Sequence, residues 1–199
     1  NGGRPTDQGV HLATEAGRAF NTAIAALNTR FSERAVFSGV NSDTSPLPAA
    51  ETILAALDTA VAGAATVEDV QTAIADWFAS PAGYDALYAG GAPRADLPIA
   101  AGETADLSVT ALDPAIKDTL RALATAAMVG RGVLSGQHEA RSQLMKAAGT
   151  DLLSGGGARS QLAARVGTVQ AQIAAAQTRN EAEKSALDIA RAGIVAADP

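Results

Sequence analysis

Cysteine is absent from the 199 residues, which excludes disulfides, thiolate metal sites and thiol nucleophiles together. Histidine occurs only twice, at His11 and His138, 127 positions apart, a poor supply for a zinc set or a catalytic triad. Aromatic residues are 4% of the chain. No apolar run approaches the roughly 18 residues that a membrane-spanning helix needs. Lys and Arg number 15 against 21 Asp and Glu, a net charge of −6, and no basic cluster offsets that balance, which argues against a nucleic-acid surface. The opening Asn1-Gly2-Gly3-Arg4-Pro5 carries no signal-peptide pattern. What is abundant is alanine, 48 residues of it. Alanine favours thin helices that approach closely, so a hydrophobic content of 47% overstates how thick a core can be.

The periodicity predicts a mainly α chain. A first helix is expected over 10–36, with Phe20, Ile24, Leu27 and Phe31 on one stripe, ending at Phe37-Ser38-Gly39 with Gly39 as a left-handed stop. A helix over 49–62 carries Ile53, Leu54, Leu57 and Val61. Another begins after Thr66 as N-cap, with Glu68 and Asp69 in its first turn and Val67, Val70, Ile74, Trp77 and Phe78 on its apolar face. A short turn or helix through Tyr84, Leu87 and Tyr88 is broken by Gly90-Gly91-Ala92-Pro93. The one β signal is a hairpin. Its strands fall at 96–99 and 106–110, joined by Ala100-Ala101-Gly102-Glu103, with Pro98 confining the first strand to an edge.

Asp113-Pro114 then opens a helix, Asp as cap and Pro at its first position. Ile116, Leu120, Leu123 and Ala127 share a face. A helix over 137–153 follows, and the longest over 158–197. Its seam, taken in alternate steps of four and three, reads Leu162, Val166, Val169, Ile173, Ala176, Asn180, Glu183, Leu187, Ala190 and Ile194. A repeat averaging 3.5 residues is a coiled-coil seam, and such a helix runs roughly 60 Å. The expectation is an elongated antiparallel rod in which the first and last helices meet. In it, the stripe Phe20, Ile24, Leu27 and Phe31 faces Leu162, Val166, Val169 and Ile173, and a small α+β insert interrupts the rod. The boundaries are 1–44 for the N-terminal rod part, 45–112 for the insert and 113–199 for the C-terminal rod part.

Residues that could carry chemistry have simpler readings. His11 reads as a solvated surface residue. His138 and Glu139 lack further ligands at metal spacing. Gly155-Gly156-Gly157 lacks the Gly-Lys-Ser/Thr of a phosphate loop and follows no strand, so it reads as a helix connector, as does Gly130-Arg131-Gly132. Lys184 and Asp188 form at most a solvated pair. Trp77-Phe78 reads as core. No catalytic, cofactor-binding or metal residues are expected, and the chain reads as a non-enzyme.

One pattern goes further. The passage 27–39, ending Ala35-Val36-Phe37-Ser38-Gly39 and followed by Asp43-Thr44 and Pro46, resembles the bacterial flagellin-like family, nearest its hook-associated protein 3 branch, the hook–filament junction proteins. Phe37, Ser38, Gly39 and Pro46 match the family's segment. Ala35 and Val36 stand where it has an aromatic residue and Leu. Tyr88-Ala89-Gly90-Gly91, Ile99-Ala100-Ala101-Gly102 and Val109 are similar to the family's insert, in which a Tyr-x-Gly turn precedes a short β pair. Arg165-Val166-Gly167, Asn180 and the run from Ala186-Leu187-Asp188-Ile189-Ala190 to Ala197-Asp198-Pro199 resemble its C-terminal rod helix. The mostly helical stretch 49–87 departs from the β-rich outer domain usual there.

The resemblance implies a non-catalytic structural part of the flagellum, a motility structure outside the cell. Such proteins leave through the flagellar export apparatus without a cleavable signal peptide. The partners implied are neighbouring copies, the hook-associated collar protein, flagellin and an export chaperone before secretion, with neither nucleic acid nor membrane. The terminal polymerisation helices of the family are expected to be missing, leaving a monomeric or weakly associating fragment. Flagellin itself is the nearest alternative. A helical binding module, such as an export chaperone or a sensor ligand domain, is the alternative of another class.

Overall fold

Six helices and two small hairpins account for nearly all the regular structure in the computed structural model, which describes residues 5–196 except Ser32 and Ala101 and side chains from His11 to Ala192. The expectations for Asn1-Gly2-Gly3-Arg4, Ala101, the Ile194 side chain and Ala197-Asp198-Pro199 lie outside that description. Contacts divide the chain into two units, residues 1–94 with 109–160, and residues 95–108 with 161–199.

In the first unit, α1 (Pro5–Leu27) packs chiefly on α4 (Pro114–Gly130). Ala13, Phe20, Ile24 and Leu27 of α1 are buried, as are Leu120, Ala124, Ala127 and Met128 of α4. Small residues let the backbones come together: a Cβ on Gly130 would stand only 3.3 Å from the Ala13 carbonyl oxygen. Helices from both sides of the expected insert therefore do meet, but the stripe Phe20, Ile24 and Leu27 belongs to a core that contains α4. The partner expected there is the seam of the last helix.

The insert's helices, α2 (Ala50–Ala60) and α3 (Val67–Ala79), join the same core through Ile53, Leu57, Val70, Ile74 and Phe78, and α5 (His138–Ser154) through Leu144. Each such buried side chain contributes about 1.5–3 kcal/mol. Local chemistry sets the starts of these helices. Thr66 Oγ1 accepts from the Asp69 amide at 3.1 Å while the Asp69 carboxylate accepts from the Thr66 amide at 3.0 Å, a reciprocal cap. These bonds hold the Asp69 carboxyl below its ordinary range. Asp113 caps α4 by accepting from Ala115 at 3.0 Å, with Pro114 first in the helix.

The first helix stops nine residues short of the expected 36. Asn28 explains the stop: its amide donates to the Leu47 carbonyl at 2.9 Å and accepts from the Leu47 N–H at 3.1 Å, pinning the chain to the loop ahead of α2. The chain then forms β1 (Arg30–Phe31) and β2 (Arg34–Ala35), an antiparallel pair with Phe31 opposite Arg34. The Arg30 guanidinium donates to the carbonyls of Glu33 and Asp43. Phe31, expected on the stripe, is 78% exposed.

In the second unit, β3 (Leu97–Ala100) and β4 (Glu103–Ala105) form the anticipated hairpin, paired Leu97 to Ala105 and Pro98 to Thr104. The second strand lies earlier than the expected 106–110. Gly102, at φ +77°, turns the chain just before Glu103, and Asp106 ends the strand by accepting from the Ser108 amide at 2.8 Å. The unit's other part is α6 (Gly156–Ala196), a continuous helix of 41 residues whose first turn belongs to the first unit.

Candidate interaction site

The two stretches that anchor the resemblance near the chain's first half, Phe37-Ser38-Gly39 and Tyr88 to Gly91, lie side by side in the first unit. The Gly91 amide donates to the Ser38 carbonyl at 2.8 Å, the Val40 amide to Ala92 at 3.0 Å, and the Ala89 amide to Pro46 at 2.9 Å. The Tyr88 hydroxyl lies 3.0 Å from the Gly91 carbonyl and 3.4 Å from that of Phe37. Arg94 Nε donates to the Gly39 carbonyl at 2.9 Å, and buried Ser38 donates from Oγ to Thr44 at 2.6 Å. From the other side the Ala111 amide donates to the Phe37 carbonyl at 3.0 Å.

Gly39 is required at this joint for two reasons. Its φ is +58°, and a Cβ there would fall 2.3 Å from the Ala92 carbonyl oxygen. The path 36–44, a run of turns, is thus clamped by 88–94 and 111 through backbone bonds, and unpaired backbone groups at so crowded a place would cost free energy.

Beneath the joint lies an aromatic cluster. Trp77, Phe78 and Tyr84 have ring centroids 5.1–6.3 Å apart. Tyr84 is fully buried and donates its hydroxyl to the Ala111 carbonyl at 3.0 Å. Burial first, then the charges of Asp85 and Tyr88, raises its phenol far above the ordinary range. Burial likewise raises the Tyr88 phenol, against a hydrogen bond from Thr110 that lowers it. Trp77-Phe78 is core, as read from the sequence.

Around this rigid joint Phe31, Val36 and Val40 are more than half exposed. Held apolar side chains at a hydrogen-bonded scaffold can make contacts; they supply no acid, base or nucleophile. The other residues weighed from the sequence are dispersed. His11 and His138 are exposed, and Glu139 accepts from Gln143 at 3.1 Å. Gly155 joins α5 to α6, with Arg159 donating to the Leu152 carbonyl at 2.6 Å. Arg131 caps α4 and pairs with Glu51 at 2.9 Å and Asp58 at 2.5 Å.

A cavity of about 360 Å³ beside Phe78, Leu112, Lys117 and Arg121 holds two basic groups that are already paired. Lys117 meets Asp85 at 2.6 Å, and Arg121 meets Asp151 at 3.3 Å. Among the described residues no group of three or more His, Asp or Glu is placed to hold a metal ion, and no helix is long and apolar enough to cross a membrane.

Sequence reasoning missed Asn28, Arg94 and Ser38 as clamps. Asn28 carried a usable signal, since an Asn side chain offers the backbone hydrogen bonds that compete with a helix interior; nothing local pointed to its partner nineteen residues on. No family model, curated protein or solved structure matches the chain.

Proposed function

We propose that this chain is a structural adaptor of the bacterial flagellum, of the hook-associated junction type, joining the hook to the filament by packing and without catalysis. The observation that carries the reading is the joint itself. Two separate pieces of the resemblance, Phe37-Ser38-Gly39 and Tyr88-Ala89-Gly90-Gly91, close on one another through the Ser38–Gly91 and Tyr88–Phe37 hydrogen bonds. The finer expectation of an elongated antiparallel rod formed by the first and last helices belongs to this proposal; the length of α6 supports it. On this reading the protein acts outside the cell after export. Its partners are neighbouring copies, the collar protein and flagellin, with a chaperone before secretion.

The test is deletion of the full-length gene in its host. The adaptor reading expects intact hooks, no filaments and abundant flagellin shed into the medium. Missing or shortened filaments without shed flagellin assign the chain to the filament as a flagellin. Normal filaments and motility overturn both. A ligand-dependent shift in melting temperature, traced to the cavity beside Lys117 and Arg121, would favour a sensor-type binding module.

A further inference from the structure

The first unit carries both an apolar knob and an apolar cavity that its own knob does not fill. The knob is Phe31. In the antiparallel pair β1–β2 it stands directly opposite Arg34, so the two side chains leave one face of the hairpin together. Val36, two residues beyond Arg34, continues that face. Ala35, on the other face, is buried, and the Arg30 guanidinium fastens the hairpin through the carbonyls of Glu33 and Asp43. Phe31 is therefore presented at 78% exposure on a backbone already tied down. Arg34 Nη1 reaches Ser42 Oγ at 3.5 Å, and the guanidinium has no carboxylate partner among the described residues.

The cavity is the one of about 360 Å³ between α3 and α4, and its apolar wall is Ala75, Phe78, Ala79, Leu112 and Pro114. That volume lies in the range of ligand pockets and is ample for one aromatic ring. Lys117 and Arg121 beside it are matched by Asp85 and Asp151, which leaves the charge of Asp118 in excess. The Asp118 side chain is 65% exposed and meets Arg121 only at 3.7 Å. A knob with a spare positive charge and a cavity with a spare negative charge thus belong to the same unit. We infer that Phe31 of one copy enters the cavity beside Phe78 and Leu112 of a second copy, with Arg34 facing Asp118.

Shape and charge both argue for this occupant. Aromatic anchors seated in pockets, together with arginine, carry much of the energy of protein contacts, and the hairpin offers one of each on a single face. Both halves of the match belong to this chain, so a second copy is sufficient as the partner. The two surfaces are unlike, so the contact is heterologous. Each copy gives a knob and receives one, and the assembly closes as a ring or continues as a filament. One hairpin on one cavity buries less than a standard interface, and the net charge of −6 sets copies against each other, so the contact is weak between free chains. The inference rests on reading the surface of Phe31, Val36 and Val40 as one that meets neighbouring copies, and gives that surface its opposite.

The test is complementation between two variants of the whole chain. Phe31→Ala removes the knob, and Ala79→Trp fills the cavity from its rim. Both positions are exposed, so each variant should melt close to the parent chain. In sedimentation velocity the parent should self-associate as its concentration rises, and each variant should do so about thirtyfold more weakly. An equimolar mixture of the two should form a dimer and nothing larger. Amides over 75–79 and 112–121 of labelled Phe31→Ala should shift when unlabelled Ala79→Trp is added. Arg34→Asp should weaken association of the parent about tenfold, and Asp118→Arg in the same chain should restore it. A parent that stays monomeric at every concentration, an association that Phe31→Ala leaves intact, or a mixture that forms no dimer overturns the inference. The deletion phenotype, and none of these measurements, decides the flagellar reading.

Discussion

The core around α1 and α4 and the exposed length of α6 are built from similarly alanine-rich helices, yet they are held by different forces. In the first unit large side chains such as Phe20, Ile53, Leu57, Ile74 and Tyr84 are fully buried, and alanine lets the backbones close around them. In the second unit the buried residues among those described are Ala105 and Ala176, which remove little apolar surface from water. Burial stabilises in proportion to area, about 25 cal/mol per Å². The first unit therefore draws its order from tertiary packing. The exposed part of α6 relies on its own backbone hydrogen bonds and on alanine's helix propensity, which hold a helix only marginally in water. High helix propensity and high structural stability are separate properties, and this chain displays both combinations.

The sharpest way to break the contrast is a pair of truncations. Phe20→Ala should cost about 3–5 kcal/mol, read by urea unfolding, whereas Leu187→Ala should change stability by no more than about 0.5 kcal/mol. Equal effects would show that α6 is packed in solution. Next in size is a glycine comparison. Gly39→Ala combines a left-handed φ with a clash on the Ala92 carbonyl and should cost about 2–4 kcal/mol. Gly102→Ala also has φ above zero, but nothing lies within 4 Å, so its cost should stay near 1 kcal/mol. A chemical melt of each variant decides between them.

Tyr84→Phe leaves the Ala111 carbonyl without its buried donor and should cost about 1–2 kcal/mol in the same assay. Thr66→Ala removes the reciprocal cap of α3 for about 1 kcal/mol. It should also flatten the acid limb of the stability curve. The folded Asp69 carboxyl is depressed, so its contribution is full above the unfolded value near 3.8 and is lost as pH falls through the folded one. Denaturant melts between neutral pH and pH 3 test this; an unchanged acid limb would show that the cap is absent in solution. The smallest effect belongs to Arg179→Ala, whose pair with Glu103 is half exposed on both sides. It should cost roughly 0.2–1 kcal/mol and fade with salt.

Legibility followed the range of the interactions. Thr66 and Asp69, Asp113 and Pro114, and the apolar faces of α2 and α3 act within one or two turns, and their elements lie where the pattern puts them. The hairpin was legible as a hairpin, but its second strand moved because Gly102 and Asp106 shape the turn at single-residue scale. The extent of α1 was not legible, since Asn28 ends the helix only by reaching Leu47 across a loop. The candidate site was half visible: Phe37-Ser38-Gly39 and Tyr88-Ala89-Gly90-Gly91 could each be picked out, while the hydrogen bonds that join them span about fifty residues.

By itself the sequence determined that the chain is mainly helical, where its capped helices begin, and which side chains share a face. It also set the alanine content that makes close helix contacts possible. Tertiary structure alone decided which faces meet. The stripe of α1 is buried with α4, Phe31 is turned outward, and Glu103 lies against Arg179. The reason is physical: periodicity places apolar residues on a stripe, but the force that buries them is non-directional and takes whichever complementary surface the loops allow.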